Sequence, residues 1–492
     1  MHVLDMIFFW AKAKPNHPAI IQPGVITTYA RLAEAIESAS WHIMQYELDP
    51  AAPVAVSIEN PAQQLIVTLA LVHSGFTASP VYEGLLPQLG KAGINVLISA
   101  NEGETLPGGK TIKFNVSQLV RGLNSSTQKN DDRKPTGPYG NIITFTSGTT
   151  GLPKMHVLTA DGLMHRVITS AMRQNMSYSR ILIVPGIGSA FGFGRTCEAL
   201  SLGKTACFSE FGEAALRMVS TYRIDAIVAS TIQSSTLAEI SAQHAGYSLN
   251  SLKEMQIGGS FPSKDIIRRI QASLCQKVSI GYSSTEAGVV AIASYDMIEN
   301  IPGAVGFVVP WAELEVVDET GSALPVNTEG FIRCRTPQFL ATFAMNNADI
   351  QIDPGDIWFY PGDRGHVTEG GVLCIAGRGD DVINRGGVKL SAVAMEEILL
   401  SCDGVRDAGV CGIRDDSGPE GIWIAIVTDE SFDMLVFRQQ LAGSDKSFQL
   451  FSNNVDEIFS IDQIPRNELG KIKRHELKEL LLNMKNRTFI QS

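Results

Sequence analysis

The sequence predicts an α/β protein with a large N-terminal domain and a small α+β C-terminal domain. Strand-like and helix-like patterns alternate as far as about residue 300, which is typical of parallel sheets covered by helices. From about residue 302 to 376 the pattern changes to short strands separated by turns, which predicts an antiparallel β subdomain. A glycine-flanked charged connector, Gly377–Asp381, then precedes a C-terminal part of different character.

Length and composition are those of an ordinary globular protein. The chain has 492 residues, which predicts roughly two to four domains. Hydrophobic residues make up 44% and charged residues 18%, which is enough apolar material for large cores. The net charge of −11 disfavours a broad nucleic-acid-binding surface, although a local basic site for an anionic cofactor remains compatible with it.

The cysteines and the apolar segments predict a soluble cytoplasmic protein. Seven cysteines occur, none in a C-x-x-C pair, so we expect a reducing compartment without disulfides or a zinc site. Residues Met1–Trp10 lack a basic start and contain Asp5, which predicts an amphipathic first helix rather than a signal peptide. The longest apolar run, near Leu65–Val72, is too short to span a bilayer.

The spacing of apolar residues predicts the elements of the first half of the chain. Recurrence at every third or fourth residue favours helices, and short continuous runs favour buried strands. Predicted helices are Tyr29–Ile36 and Ala62–His73; predicted strands are Val54–Ile58, Gly93–Ser99, Arg180–Pro185, Ala206–Phe208 and Ala226–Ala229; predicted surface loops are Asn101–Lys110 and Asn124–Pro138.

The stretch Thr144–Lys154, directly after the apolar run Asn141–Ile143, predicts a phosphate-binding loop. Most of its residues are Gly, Thr or Ser, whose backbone N–H groups and hydroxyls can approach phosphate oxygens, and Lys154 adds a positive charge. It is not a Walker A loop, because Lys154 follows a proline and precedes Met155. A solvated Ser/Thr/Gly loop is the alternative.

Two further strands also end in glycine and hydroxyl residues. Met255–Ser260 ends in a glycine pair, and Val278–Glu286 ends in the polar run Tyr282–Glu286. Ligands of open α/β sheets bind at the carboxyl ends of strands, so these ends and the phosphate-type loop predict one shared site. The glycine cluster Gly186–Gly194 lacks the dinucleotide-binding spacing, and we expect a tight turn with a ligand-facing backbone there.

The second half of the chain adds two candidate features. Gly362-Asp363 lies in a turn behind aromatic residues and, taken alone, is typical of a surface turn. Pro465–Lys471 carries a Gly-Lys element before the last helix, for which a solvated basic loop is the alternative. Predicted strands here are Leu314–Asp318, Gly330–Cys334, Gly371–Ile375, Val388–Val393, Ala408–Ile413 and Gly421–Val427, with helices at Met395–Ser401 and Arg474–Asn483.

Taken together, these stretches resemble the adenylate-forming superfamily of acyl-CoA synthetases, nonribosomal-peptide adenylation domains and firefly luciferase. Six motifs occur in the family's order over more than 300 residues, which makes the resemblance specific. They are Thr144–Lys154, Gly258-Gly259, Tyr282–Glu286, Gly362-Asp363, Gly377–Asp381 and Pro465–Lys471.

The resemblance implies an AMP-forming acid–thiol ligase that uses ATP, Mg²⁺ and CoA. A carboxylate would attack the α-phosphate of ATP and expel pyrophosphate, and a thiol would then displace AMP from the acyl adenylate. A small-molecule carboxylic acid and CoA are the implied partners. Transfer to a carrier-protein phosphopantetheine, or a nucleotide-binding protein without ligase activity, are the alternatives.

The resemblance also assigns roles to the residues of the predicted ATP site. Glu286 would hold Mg²⁺, Thr285 would contact the α-phosphate, and Lys154 would stabilise the loop or face phosphate. The residues assigned to the β- and γ-phosphates are Thr146, Ser147, Gly148, Thr149, Thr150 and Gly151; those assigned to the adenine and its surroundings are Tyr282, Ser283, Ser284, Gly259 and Ser260; those assigned to the ribose are Asp363 and Arg378.

A rotating C-terminal domain is a further implication of the resemblance. Lys471 would be the catalytic cation of the first step, and Asp380 the hinge residue. The loop with Arg385, Gly386 and Gly387 would replace Lys471 and admit the pantetheine arm. We therefore place the N-terminal domain at residues 1–377, the hinge at 378–380 and the mobile C-terminal domain at 381–492.

The acyl side of the site departs from the family pattern. Ser189 stands where many acyl-CoA synthetases carry histidine, and Ala160 also replaces a frequent histidine. No aspartate follows Pro185 to pair an α-amino group, which favours a plain carboxylic acid over an amino acid. The pocket candidates are Ser189, Phe191, Phe193, Ser230 and Gly258; medium-chain, aryl and dicarboxylic acids all stay open.

Overall fold

A computed structural model provides the fold of most of the chain. It describes residues 2–116, 119, 137–146, 154–173, 178–244, 246–340, 357–378, 382–385, 388–413, 421–443, 455–466, 470 and 472–490. Within these ranges, every helix is too short or too polar to cross a lipid bilayer.

The helices carry the labels α1 to α12 in chain order. They are α1 Val3–Ala13, α2 Tyr29–Ile43, α3 Pro61–His73, α4 Leu86–Leu89, α5 Ala160–Arg173, α6 Ala190–Ser201, α7 Glu213–Tyr222, α8 Thr231–Gln243, α9 Lys264–Ser273, α10 Ala392–Leu400, α11 Met434–Gly443 and α12 Arg474–Ile490. Single 3₁₀ turns lie at Glu83–Leu85, Gly90–Ala92 and Tyr295–Met297. The predicted helices are confirmed, including the first, which begins on a capping box between His2 and Asp5.

The strands are numbered in the same way. Up to residue 158 they are β1 Pro18–Gln22, β2 Val25–Thr28, β3 Val54–Ser57, β4 Ala78–Pro80, β5 Val96–Ser99, β6 Lys110–Lys113, β7 Ile142–Thr146 and β8 Lys154–Leu158. The next eleven are β9 Arg180–Ile183, β10 Thr205–Cys207, β11 Ala226–Ser230, β12 Glu254–Gly258, β13 Val278–Ser284, β14 Gly288–Ser294, β15 Ala304–Val308, β16 Glu313–Val317, β17 Gly330–Arg335, β18 Asp363–Val367 and β19 Val372–Arg378. The C-terminal strands are β20 Val382–Arg385, β21 Val388–Ser391, β22 Val405–Ile413, β23 Gly421–Thr428 and β24 Val455–Ser460.

A 13-stranded sheet organises the N-terminal part. Its order is β16-β17-β18-β19-β15-β14-β13-β12-β11-β9-β10-β1-β2. The run from β1 through β10, β9, β11 and β12 to β13 is parallel, whereas β13 to β19 pair antiparallel. The predicted parallel sheet and antiparallel subdomain are both confirmed, and they share one continuous sheet in which β13 is the junction.

A second, six-stranded sheet has the order β6-β5-β3-β4-β7-β8. Its strands are parallel except for the last pair, in which β7 and β8 form an antiparallel hairpin. The buried strand predicted before the Thr/Ser/Gly stretch is confirmed as β7. The following strand β8 is an element that the apolar pattern did not predict.

The C-terminal residues form their own hydrophobic cores. One surrounds Leu399, Ile424 and Phe437, and the other surrounds Trp423 and Leu477. Among the described residues, every cluster contains members either from residues 3–375 or from residues 383–484, and none mixes the two groups. The α+β character of this part is confirmed, and the domain limits at 377 and 381 stay a prediction.

The glycine cluster Gly186–Gly194 differs from the predicted tight turn. A turn occupies residues 187 and 188, but a helix, α6, begins at Ala190. The Ser189 hydroxyl accepts a hydrogen bond from the Gly192 N–H at 3.0 Å, which satisfies a donor at the helix start. This N-cap is the physical reason why the second half of the cluster is helical.

All seven cysteines are free and buried. Burial raises the pKa of the Cys207 and Cys275 thiols to about 12 and that of Cys402 to about 11. These thiols therefore stay protonated at neutral pH.

Candidate active site

The β7–β8 hairpin holds the two ends of the predicted phosphate loop together. Thr146 pairs with Lys154 and Thr144 pairs with His156 across the hairpin. Residues 147–153, which include the candidates Ser147, Gly148, Thr149, Thr150 and Gly151, lie outside the described residues, and only the backbone of Thr146 and Lys154 is described. The loop therefore connects two antiparallel strands, in contrast to the strand-to-helix loops of Walker A proteins.

The carboxyl ends of β11 and β12 lie side by side. Ser230 pairs with Gly258 at the last position of the two strands. The Thr231 hydroxyl donates to the Ser260 carbonyl at 2.6 Å, which joins the start of α8 to the loop after β12. Gly259 has φ of +92°, a conformation that side chains disfavour, so glycine is needed here for the backbone to turn.

Tyr282, Asp363 and Arg378 come together although they are far apart in sequence. The Tyr282 hydroxyl donates to the Asp363 carboxylate. Asp363 and Arg378 are directly opposed in the antiparallel β18–β19 pair; of Arg378 only the backbone is described. Gly362, with φ of +83°, turns the chain into β18, so Asp363 begins a strand rather than lying in a surface turn.

The turn after β13 presents Thr285 and Glu286. The Gln338 side-chain amide donates to the carbonyls of Thr285 and Glu286, at 2.7 and 3.2 Å. The Ser284 hydroxyl accepts from the Ala287 N–H at 2.9 Å, whereas Ser283 is exposed. Because its backbone is held from both sides, this turn can present the Glu286 carboxylate in a defined position.

His156 is a site residue that the sequence pattern did not identify. Its Nε2 lies 3.4 Å from the Glu286 carboxylate, and both side chains are partly accessible. Cys334 lies close by, and its pKa is raised to about 12, mainly by burial and further by the charges of Asp363 and Glu286. The hairpin of the predicted phosphate loop and the β13 turn are thus in direct contact.

The Glu286 carboxylate has the chemistry expected of a Mg²⁺ ligand. Its side chain is 29% exposed and lies beside the hairpin. Mg²⁺ is commonly bound through one or two carboxylates together with phosphate oxygens of the substrate and water. A single accessible carboxylate next to a candidate phosphate loop fits that requirement.

The predicted acyl-pocket residues have different structural roles. A Cβ atom built on Gly258 would lie 2.9 Å from Cζ of Phe191, so the Phe191 ring lies over Gly258. Ser189 and Ser230 are buried helix N-caps, the latter in a capping box with Gln233. Phe193 is completely buried and belongs to the large hydrophobic core.

A buried polar layer adjoins these residues. Arg195 Nη1 lies 2.6 Å from a Glu198 carboxylate oxygen, and the Arg195 guanidinium also donates to Gln256. Arg166 of α5 lies against Gly194 and donates to the Ala190 carbonyl at 3.3 Å; burial lowers the pKa of its guanidinium. Arginine is usually exposed, so the sequence alone does not distinguish these arginines from surface ones.

The C-terminal candidates are described only in part. Asp380, Gly386, Gly387 and Lys471 lie outside the described residues, and only the backbone of Arg385 is described. Gly470 is described: a Cβ atom on it would lie 2.6 Å from Cδ1 of Ile232, at the start of α8. Arg466 donates to the Gly470 carbonyl at 2.6 Å and pairs with Asp407. The residue before Lys471 therefore lies beside the strand end that carries Ser230.

Comparison with known proteins identifies a family and several relatives. The family model described as AMP-binding enzyme matches residues 7–343. The medium-chain fatty-acid–CoA ligase of Escherichia coli is 26% identical over 343 residues, which are 68% of this chain and 60% of that protein. The oxalate–CoA ligase of Arabidopsis thaliana is 23% identical over 499 residues, which cover 94% and 95% of the two chains.

Solved structures share the fold. An o-succinylbenzoate coenzyme A synthetase (MenE) of Bacillus subtilis in complex with AMP superposes with a TM-score of 0.80 at 19% identity, covering 96% of this chain and 98% of that one. ATP-bound MatB of Rhodopseudomonas palustris also gives a TM-score of 0.80, at 20% identity, with coverage of 98% and 99%. The match therefore extends through the C-terminal part.

Proposed function

Because the chain belongs to the AMP-binding enzyme family, the adenylate-forming superfamily of acyl-CoA synthetase type, we propose that it activates a carboxylic acid with ATP and transfers the acyl group to CoA. The observation that carries the proposal is the grouping of Tyr282, Asp363 and the Arg378 backbone at the junction of the two halves of the large sheet. An aromatic ring next to a strand-borne carboxylate suits an adenine base and the hydroxyls of its ribose.

In the proposed first step, a carboxylate oxygen of the substrate attacks the α-phosphorus of ATP. The bond to the bridging oxygen breaks, and pyrophosphate leaves with its electron pair. Thr285 would donate to the α-phosphate, and the Lys471 ammonium would stabilise the negative charge that develops there. Gly470, the residue before Lys471, lies against Ile232 next to the Ser230 strand end, which supports this role.

Mg²⁺, when bound through Glu286, would neutralise phosphate charge. The chain itself would hold Thr285 and Glu286 in position. Gln338 fixes the backbone on either side of the Thr285–Glu286 peptide, and His156 contacts the carboxylate. In the second step the thiol sulfur of CoA would attack the acyl carbonyl carbon, and AMP would leave.

The names of the relatives do not converge on one acid. They include ligases of medium-chain fatty acids, 4-coumarate and oxalate. The test is therefore acid-dependent exchange of labelled pyrophosphate into ATP across aliphatic, aryl and dicarboxylic acids. We expect at least one acid to support exchange and then to give acyl-CoA and AMP. Exchange with none of them would contradict the proposal, and turnover with a carrier protein but not with CoA would favour the other acceptor.

A pair of variants tests the separation of the two steps. Lys471→Ala should reduce adenylation by roughly 100-fold or more, because a positive charge at the transition state is lost, yet supplied acyl adenylate should still give thioester. Gly387→Leu should spare exchange and block thioester formation, because its side chain would obstruct the pantetheine arm. Equal loss of both steps in both variants would contradict the assignment of the two residues to different steps.

A further inference from the structure

The interface between α6 and β12 contains two of the predicted acyl-pocket residues, Phe191 and Gly258. Phe191 and Arg195 are four residues apart on one face of α6, and Gln256 and Gly258 are two residues apart on one face of β12. Phe191 covers Gly258, and Arg195 binds Gln256. The two contacts therefore follow one another along the same interface. The Phe191–Gly258 contact lies nearer the carboxyl end of β12, and the Arg195–Gln256 contact lies further inward.

The contact between Arg195 and Gln256 belongs to a charged layer with little access to solvent. The side chains of Arg195 and Glu198 are 9% and 7% exposed, and their ion pair is direct at 2.6 Å. Gln256 in turn donates to Glu254, which is also buried, and Glu254 accepts from the Ser279 hydroxyl. An apolar chain that entered this layer would have to separate buried, paired charges, which is strongly unfavourable.

The contact of Phe191 with Gly258 lies nearer the carboxyl end of β12, where Phe191 is only partly buried and packs against the large hydrophobic core. Gly258 is the residue that leaves space for the ring, since any Cβ atom there would approach Cζ to 2.9 Å. An aromatic ring therefore lies over Gly258, in front of a charged layer.

We propose that Phe191 sets the length limit of the acyl group and makes this protein an activator of short-chain carboxylic acids. The inference rests on the proposed function for the location of the pocket. Medium- and long-chain acids are excluded because Phe191 occupies the space over Gly258 and the Arg195–Glu198 layer lies behind it.

The test measures binding without requiring turnover. N-acylsulfamoyl adenosines, which are stable mimics of the acyl adenylate, would be titrated calorimetrically with acyl groups from acetyl to decanoyl. We expect the wild-type protein to bind the acetyl to butanoyl members at least tenfold more tightly than the octanoyl and decanoyl members. Phe191→Ala should move the optimum to longer chains, with Phe191→Leu intermediate.

A second variant tests the contact itself. Gly258→Ala should weaken binding of the butanoyl member about tenfold, because the new methyl group forces the Phe191 ring into the pocket. In the Phe191→Ala background, Gly258→Ala should weaken binding of the butanoyl member less than threefold, because the ring is no longer present. Urea unfolding of each variant separates loss of fold from loss of binding.

The outcomes distinguish the two proposals. Binding with a sharp length limit in a protein that supports no exchange would uphold the Phe191 assignment and overturn the ligase. Exchange that prefers octanoate over butanoate, or a length profile that Phe191→Ala leaves unchanged, would overturn the Phe191 assignment while the ligase stands.

Discussion

At the scale of single residues, the hydrogen bond from Tyr282 to Asp363 is the contact that best joins sequence to chemistry. Both residues were candidates for nucleotide binding, one for the base and the other for the ribose. The bond orients the carboxylate and leaves the tyrosine ring partly accessible. Its second effect is to tie β13 to β18, which belong to different parts of the large sheet.

Removal of this hydroxyl should weaken ATP binding. We expect Tyr282→Phe to raise the Kd of ATP roughly tenfold, since a hydrogen bond to a charged group contributes about 1.5–3 kcal/mol. Calorimetric titration of ATP would measure it. Tyr360→Phe is the control, because Tyr360 is an exposed tyrosine just before β18 whose hydroxyl accepts from Arg333 and not from a site residue. Equal effects of both variants would contradict the specific role of Tyr282.

Some contacts between site residues could not be predicted from the sequence. His156 and Glu286 lie 130 positions apart, and nothing in either local pattern indicates that they meet. Gln338 was not a candidate either, although its amide fixes the turn that carries Thr285 and Glu286. Such contacts depend on how β8, β13 and the segment after β17 pack, which spacing along the chain does not encode.

At the scale of elements, the start of α6 shows how one cap overrides a glycine-rich pattern. The four glycines of the cluster predicted a turn, but the Ser189 side chain supplies the acceptor that a helix start needs. The same hydroxyl donates to the Gly186 carbonyl at 2.8 Å. Ser189 therefore has a structural role whether or not it also faces the acyl group.

Loss of this cap should be visible in stability. Ser189→Ala should lower the free energy of unfolding by about 1 kcal/mol, measured from the urea midpoint, because the Gly192 N–H loses its partner. Ser189→Thr retains both the acceptor and the donor and should stay close to the wild type. A Ser189→Ala variant as stable as the wild type would contradict the capping role.

Other elements followed from the sequence more directly. Buried parallel strands such as β9 and β11 are continuous apolar runs, and α2 shows helical spacing, so local composition was sufficient. β8 was missed because its residues, Lys154–Leu158, alternate too briefly to be separated from the loop before them. Its pairing with β7 is what gives it strand structure.

At the scale of the whole molecule, the contact between Gly470 and Ile232 connects the C-terminal part to the N-terminal sheet. Gly470 has φ of +80°, and a side chain on it would meet Ile232. Both conditions favour glycine for independent reasons. The loop is held on its other side by Arg466, which bonds to the Gly470 carbonyl and to Asp407.

Substitution of Gly470 should affect one half-reaction more than the other. Gly470→Ala should reduce pyrophosphate exchange at least tenfold, because the arrangement that places Gly470, the residue before Lys471, against Ile232 is disfavoured, while thioester formation from supplied acyl adenylate is retained. Gly371→Ala is the control, since Gly371 has a similar φ of +76° but open space around it. Comparable loss of exchange in both variants would attribute the effect to backbone strain alone.

The sequence predicted the overall fold better than it predicted the contacts within the candidate site. The sequence indicated the α/β class, the antiparallel subdomain and the C-terminal α+β part, because each has its own local pattern. It did not indicate that the two predicted N-terminal regions share one 13-stranded sheet, since that depends on the pairing of β13 with β14. The contact of Phe191 with Gly258 was equally hidden, because it arises from α6 and β12 packing face to face.

The burial of all seven cysteines has a practical consequence for following motion in this protein. Thiol-reactive dyes attack the accessible thiolate, and these thiols are all buried. A fluorophore pair attached to one engineered surface cysteine on each side of the connector would thus report the distance between the two parts in the otherwise unmodified chain.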